Sequence, residues 1–143
     1  MAKEYINPTS AYFTDAYSHA VKTRGGSTIY IAGVVGVDNH GNTVGDGSLQ
    51  TQIDAAYDNL RAVLAESGAT MDDLVSTRVY LTKADDFEPY KEAREKHLTH
   101  PGPGLTVLIV QALDKKLVDQ VSRFASNVGL FSCEPESLDH LNA

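Results

Sequence analysis

Tyr17-Ser-His-Ala20 and, about a dozen residues on, Ile29-Tyr-Ile-Ala-Gly-Val-Val-Gly36 are the stretches of this chain best suited to holding a small molecule. Glycine within a strand pattern marks a place where another backbone or a ligand approaches closely. A tyrosine-led polar segment just upstream can line such a place with hydroxyl and imidazole groups. Other chemistries have less to stand on. His19, His40, His97, His100 and His140 show neither an HExxH spacing nor a Cys/His ligand pattern, so no metal site is expected. Cys133 is the single cysteine, which leaves no internal disulfide. His19 has no acid–base partner at a recognisable spacing and fits a structural or polar-lining role. Asp119 and Arg123 lie on one face of a candidate last strand, where structural pairing is the ordinary role.

The elements that position these residues belong to one domain. A chain of 143 residues with 42% hydrophobic and 22% charged content buries a sizeable core. No run approaches the roughly 20 apolar residues that span a bilayer, and no signal peptide is read, so a cytoplasmic setting is expected. A net charge of −7 without a basic stripe opposes the phosphate backbone, so neither nucleic acid nor a membrane is expected as partner.

Ser18 to Arg24 and Ser27 to Gly36 read as two extended runs joined by Gly25-Gly26, a dipeptide suited to a hairpin. Asp38 to Asn42 is a turn cluster. Leu49, Ile53, Ala56, Leu60, Val63 and Leu64 recur at helical spacing between Ser48, a plausible N-cap, and Gly68, a stop. Thr70-Met-Asp-Asp73 has the form of a capping box over a short turn. Leu74 to Thr82 alternates, with Val75, Thr77, Val79 and Leu81 on one side. A second helix is expected from Asp86 to His97, with Pro89 in its first turn and Phe87, Tyr90, Ala93 and His97 on its apolar side. Pro101-Gly-Pro-Gly104 ends it. Leu105 to Leu113 is almost continuously apolar, the pattern of a strand buried on both faces. Leu117 to Ala125 makes a last strand, and residues 129–143 form an acidic C-terminal extension, polar from Cys133 on. The order predicts an α+β fold, a mixed sheet with two helices on one face. The second face of the Leu105 strand then needs a cover that a subunit partner would supply.

Tyr17-Ser-His-Ala-Val21, Ile29-Tyr-Ile-Ala-Gly33, Asn59-Leu60, Gly68-Ala69, Asp73-Leu-Val-Ser-Thr-Arg-Val-Tyr-Leu81 and Asp86-Phe87 together resemble the Rid (YjgF) family of reactive intermediate deaminases, in order and in spacing, from about Asp15 to Ala125. The resemblance implies a chorismate-mutase-like α+β domain over residues 1–128, assembled as a homotrimer with clefts between subunits. It implies hydrolysis of imines or enamines of small metabolites to a carbonyl compound and ammonia, without a cofactor. An imine carbon is already electrophilic, so such a site needs to hold the substrate, place a water and move one proton.

Carried over by the resemblance, the cleft tyrosine matches Tyr17 and the ligand-facing glycine Gly33, with Ala32 beside it. The carboxylate-clamping arginine falls on Leu105, next to Thr106. The water-positioning glutamate falls on Gln120, and an asparagine of the second helix on Lys91. The expected catalytic residues are thus Gln120 and Tyr17, and the expected substrate-binding residues Ala32, Gly33, Lys91, Leu105 and Thr106. Each has a plainer role beside this one: Tyr17 a half-buried core aromatic, Gly33 a packing glycine, Gln120 an ordinary strand residue, and Lys91 a solvated lysine among Glu88, Glu92 and Glu95. Leucine cannot replace the bidentate fork of a guanidinium, so three function classes stand: a deaminase-type hydrolase less dependent on a carboxylate, an enzyme recruited to another reaction in a specialised pathway, and a non-catalytic ligand-binding trimer.

Overall fold

In the computed structural model, residues 2–12, 14–44, 48–111, 124–127 and 131–133 are described. The core is organised by helix α1, Leu49–Glu66, whose residues Leu49, Ile53, Ala56, Leu60 and Leu64 make a buried stripe. Each large apolar side chain taken fully out of water contributes roughly 1.5–3 kcal/mol. The helix starts where Ser48 accepts a hydrogen bond from the Thr51 amide at 3.3 Å. It stops where Gly68 turns to a φ of +75° and the Ala69 amide donates to the Leu64 carbonyl at 2.8 Å. That left-handed residue is cheap for glycine alone. Val63, expected on the apolar stripe, instead sits at its edge and is 41% exposed.

Strand β5, Ser76–Leu81, runs through the middle of a four-stranded sheet. Its inward residues Thr77, Val79 and Leu81 are buried against the helices, as the alternation predicts. Strand β6, Gly104–Ile109, pairs parallel to β5 from Ser76↔Gly104 to Leu81↔Ile109. Strand β7, Phe124–Asn127, pairs antiparallel to β5 on its other side, and β4, Val34–Val35, adds to β7. The sheet is therefore mixed and the fold α+β. Helix α2, Phe87–Arg94, follows a 3₁₀ turn at Ala84–Asp86 and packs on α1. It is shorter than the Asp86 to His97 span expected. Tyr90 and Ala93 form its buried side, whereas Phe87 is 39% exposed. The capping box forms as expected: the Asp73 carboxylate accepts from the Thr70 amide at 2.8 Å, over the 3₁₀ turn Met71–Asp73.

Three expectations about strands are corrected. Gly25 and Gly26 both take positive φ, +71° and +73°, yet the runs they join do not pair with each other. Strand β2, Ala20–Arg24, pairs with β1, Ala2–Ile6, and β3, Ser27–Ile29, pairs with β8, Phe131–Cys133. The unforeseen β1 brings Glu4 opposite Lys22, an opposite-charge pair of the kind that favours a ladder. The second run is also broken, since residues 30–33 leave the sheet between β3 and β4. Finally, β6 ends at Ile109, short of the Leu113 expected; Leu105 and Val107 pack on the core, Leu108 on the other face is 42% exposed as the missing cover predicts, and Ile109, on the side of Leu105 and Val107, is 50% exposed at the strand end. Residues 117–123 of the last expected strand lie outside the described residues, as do residues 134–143; the strand β8 falls inside the range read as an extension.

Candidate functional site

One cavity holds Tyr17 and another Ala32 and Gly33, and the two have no lining residue in common. The first, about 310 Å³, is bounded by Tyr17 and Ser18 with Asn7, Thr14 and Asp15, and on the far wall by His100, Pro101 and Gly102. The segment before β2 is pinned to the segment before β6 at this point. The buried Ser18 hydroxyl donates to the Gly102 carbonyl at 2.7 Å, and the Ser18 amide donates to Pro103 at 3.4 Å. The tyrosine ring meets the His19 ring edge-on at 5.8 Å. His19 itself is held by Asn7, whose Oδ1 accepts from the His19 amide at 2.9 Å and lies 3.0 Å from Nδ1. These bonds hold the exposed His19 ring beside Tyr17.

The second cavity, about 350 Å³, lies over the break between β3 and β4. Tyr30, Ala32, Gly33 and Val35 bound it on one side, Asn59 and Val63 of α1 on the other. Two glycines here differ. A Cβ at Gly36 would sit 2.6 Å from the Gln52 carbonyl oxygen, so this residue is the close-packing glycine that lets α1 approach the strand. A Cβ at Gly33 would meet nothing within 4 Å among the described residues, so none of their packing requires glycine there. Asn59 fixes the rim: its Nδ2 donates to the carbonyls of Val35 and Val37, both at 2.9 Å.

Of the other predicted residues, Lys91, Leu105 and Thr106 line neither cavity. Lys91 pairs with Glu88 at 3.0 Å one turn away and lies 5.5 Å above the Phe87 ring, a local surface arrangement. Leu105 packs on the core. Thr106 is exposed on the open face of the sheet, across the ladder from Arg78, also exposed. Gln120 lies outside the described residues. Val34 is in register with Val107 through Ser126 and Val79, three strand spacings or about 14 Å across the sheet. A single copy of the chain therefore does not gather Gly33 and the start of β6 around one small ligand. Among the described residues no group of three or more His, Cys, Asp or Glu side chains is placed to hold a metal ion.

Sequence spacing missed two clusters. His97 lies past the end of α2, not on its apolar side. Its ring stacks on Tyr57 at 4.6 Å, Nε2 is 2.6 Å from the Asp54 carboxylate, and Nδ1 is 3.0 Å from the Arg61 guanidinium. Beneath it the Tyr57 hydroxyl is pushed well above its ordinary pKa, first by burial and then by Tyr90, with the buried Arg94 pulling the other way; Tyr90 is raised too, again chiefly by burial. The second cluster is at the first cavity: His100 Nε2 lies 2.7 Å from Glu95 Oε2, while Glu95 Oε1 is 3.8 Å from Nε of Arg94.

Comparison with known proteins defines the class. Residues 9–119 match the family model described as Endoribonuclease L-PSP, and the chain belongs to this family, the Rid (YjgF/RutC) proteins. Of individual relatives, the chain is 28% identical to a 2-iminobutanoate/2-iminopropanoate deaminase of Dermatophagoides farinae, over 69% of this chain and 76% of that protein. It is 32% identical to the mitochondrial protein mmf2 of Schizosaccharomyces pombe, over 76% of this chain and 82% of the relative. In structure it matches the Rid family protein YyfB of Yersinia pestis with a TM-score of 0.80 at 25% identity, covering 93% of this chain and all of that one. Among the described residues no helix is long and apolar enough to cross a membrane.

Proposed function

We propose that this chain hydrolyses a C=N or enamine bond of a small metabolite, in a cleft completed by further copies of the chain as a homotrimer, and that its substrate is not recognised through a carboxylate. The observation that carries this reading is the placement of Leu105 in a chain that belongs to a family with deaminase-named members. At the position where the family resemblance calls for a guanidinium, an apolar side chain packs on the core instead. A charge-assisted hydrogen bond of that kind is worth roughly 1.5–3 kcal/mol, so its loss matters most for anionic imines. The exposed Leu108 and Ile109 of β6, and the separation of the Gly33 and Tyr17 cavities in one copy, support an assembly in which neighbours bring these surfaces together. The family description names an endoribonuclease, but a net charge of −7 works against RNA.

The test compares two imines generated in place, one from an amino acid by an amino-acid oxidase and one from a simple amine by an amine oxidase, with carbonyl release followed above the uncatalysed rate. Acceleration greater for the imine without a carboxylate is the expected result. Equal, family-like turnover of the carboxylated imine points to Arg78 as an alternative clamp. No acceleration of either favours a ligand-binding trimer. Sedimentation at micromolar concentration is expected to give three copies, and a stable monomer removes the shared cleft.

A further inference from the structure

We infer that His100, oriented by Glu95, is the catalytic proton carrier of the Tyr17 cavity, a role that rests on the hydrolytic reading above. Three observations meet at this residue. It lines the same cavity as Tyr17. Its Nε2 is engaged by Glu95 Oε2 at 2.7 Å, which places the ring proton on that nitrogen and leaves Nδ1 as the basic atom, with no hydrogen-bond partner among the described residues. The other oxygen of Glu95 lies 3.8 Å from the Nε of Arg94, whose side chain is 3% exposed, so the orienting carboxylate is itself steadied by a buried cation. A base held by a second group that is held by a third is the arrangement nucleophile activation calls for.

The chemistry closes without any further reagent. Water oxygen bonds to the imine carbon as the C=N π pair moves to nitrogen; Nδ1 takes the water proton and returns it to that nitrogen, giving a carbinolamine. In the second half Nδ1 takes the hydroxyl proton, the C=O bond forms, the C–N bond breaks, and the nitrogen leaves as ammonia carrying the proton from the imidazolium. The imidazole ends as it began. The charged and titratable groups around it are Glu95 and Arg94 from the α2 end and Asp15 and Tyr17 from the segment before β2, with His19 beyond Tyr17. The two carboxylates, Glu95 and Asp15, give this region negative charge that repels an anionic substrate. The cavity is thus suited to neutral or cationic imines.

The experiment is the steady-state rate of the full chain on the amine-derived imine, across pH, for wild type, His100→Gln, His100→Asn and Glu95→Gln, with circular dichroism and sedimentation to check the fold. We expect His100→Gln to lower kcat about 10²-fold or more with little change in KM, in the range of a positioned acid–base group, and to remove a limb of the pH–rate profile. Glu95→Gln, a positioning change, should lower kcat less and displace that limb. A folded His100→Gln or His100→Asn with the wild-type rate and profile overturns the assignment and leaves the hydrolytic reading standing. Absence of wild-type acceleration on both imines overturns the two together. Should neither histidine variant fold, the His100 imidazole resonances in wild type decide: they should shift when the carbonyl product is added, and no shift overturns the assignment.

Discussion

The two cavities are of similar size and are lined by different residue types. The one around Tyr17 is walled by Asp15, His100 and the polar groups of Asn7, Thr14 and Ser18, and it joins chain segments more than eighty positions apart. The one around Gly33 is walled mainly by Ile31, Val34, Val35, Val37 and Val63, with an exposed Tyr30 at its edge. Proton transfer needs groups of the first kind, and shape selection of an apolar ligand needs a surface of the second kind. The difference teaches that residues drawn together by a family resemblance divide, within one chain, into a half-site that carries polar and titratable side chains and a half-site lined chiefly by aliphatic ones.

The sharpest way to break the contrast is to give the start of β6 a cation. Leu105→Arg should raise the rate on amino-acid-derived imines by about one to two decades, the equivalent of roughly 1.5–3 kcal/mol, and should do little for amine-derived ones. Oxidase-coupled rates on the two imines measure it. An equal gain on both would mean that charge at this position does not select the substrate.

The glycines of the aliphatic half-site sharpen the contrast from the other side. Gly36→Ala drives a methyl into the backbone of Gln52, so a loss of about 1–3 kcal/mol in thermal or denaturant unfolding is expected. Gly33→Ala finds open space and should leave stability within about 0.5 kcal/mol while narrowing the cavity. If the two lose the same stability, Gly33 is a packing residue after all. A Gly33→Ala variant that is stable but weakened in turnover places ligand against that backbone.

Helix α1 was legible because everything that makes it is local: the Leu49-to-Leu64 spacing, Ser48 ahead of it and Gly68 behind it. The Thr77, Val79, Leu81 alternation was legible for the same reason. Pairing was not. Gly25-Gly26 has the positive φ angles a tight hairpin turn uses, but the partners of its flanking strands come from Ala2–Ile6 and Phe131–Cys133, and nothing near the turn encodes that. The candidate site divides likewise. Tyr17 and Gly33 stood out through tyrosine and glycine chemistry in a strand setting, whereas His100 meets Glu95 at a five-residue separation past a helix end, and His97 meets Asp54 across 43 positions. Neither separation is a helix or strand period, so no pattern announces it.

The tie that shapes the Tyr17 half-site gives a smaller effect. Ser18→Ala removes a buried hydroxyl and leaves the Gly102 carbonyl without it, at an expected cost of about 1 kcal/mol. Because this bond spans the cavity wall, turnover should fall further than stability alone accounts for, with KM and kcat both affected. Ser18→Thr, which keeps the hydroxyl, is the control. Unchanged kinetics in a folded Ser18→Ala would show that the wall does not depend on this bond.

The weakest lever lies in the core and acts only in alkali. Tyr57 and Tyr90 have hydroxyls whose pKa values burial raises, so the folded state holds these protons more tightly than the unfolded chain. The sign follows from linkage: their contribution is fully present below the unfolded tyrosine value of about 10 and is lost as pH climbs from there through the folded values. Arg94, buried beside them, opposes the shift and softens the loss. Urea unfolding should therefore show no slope from this pair between pH 7 and 9 and a falling stability above about pH 10. Tyr57→Phe should reduce that alkaline slope, while activity at neutral pH stays near wild type because this hydroxyl faces neither cavity. An alkaline slope unchanged in Tyr57→Phe and in Tyr90→Phe would move the cause elsewhere and remove the buried tyrosines from the account of stability.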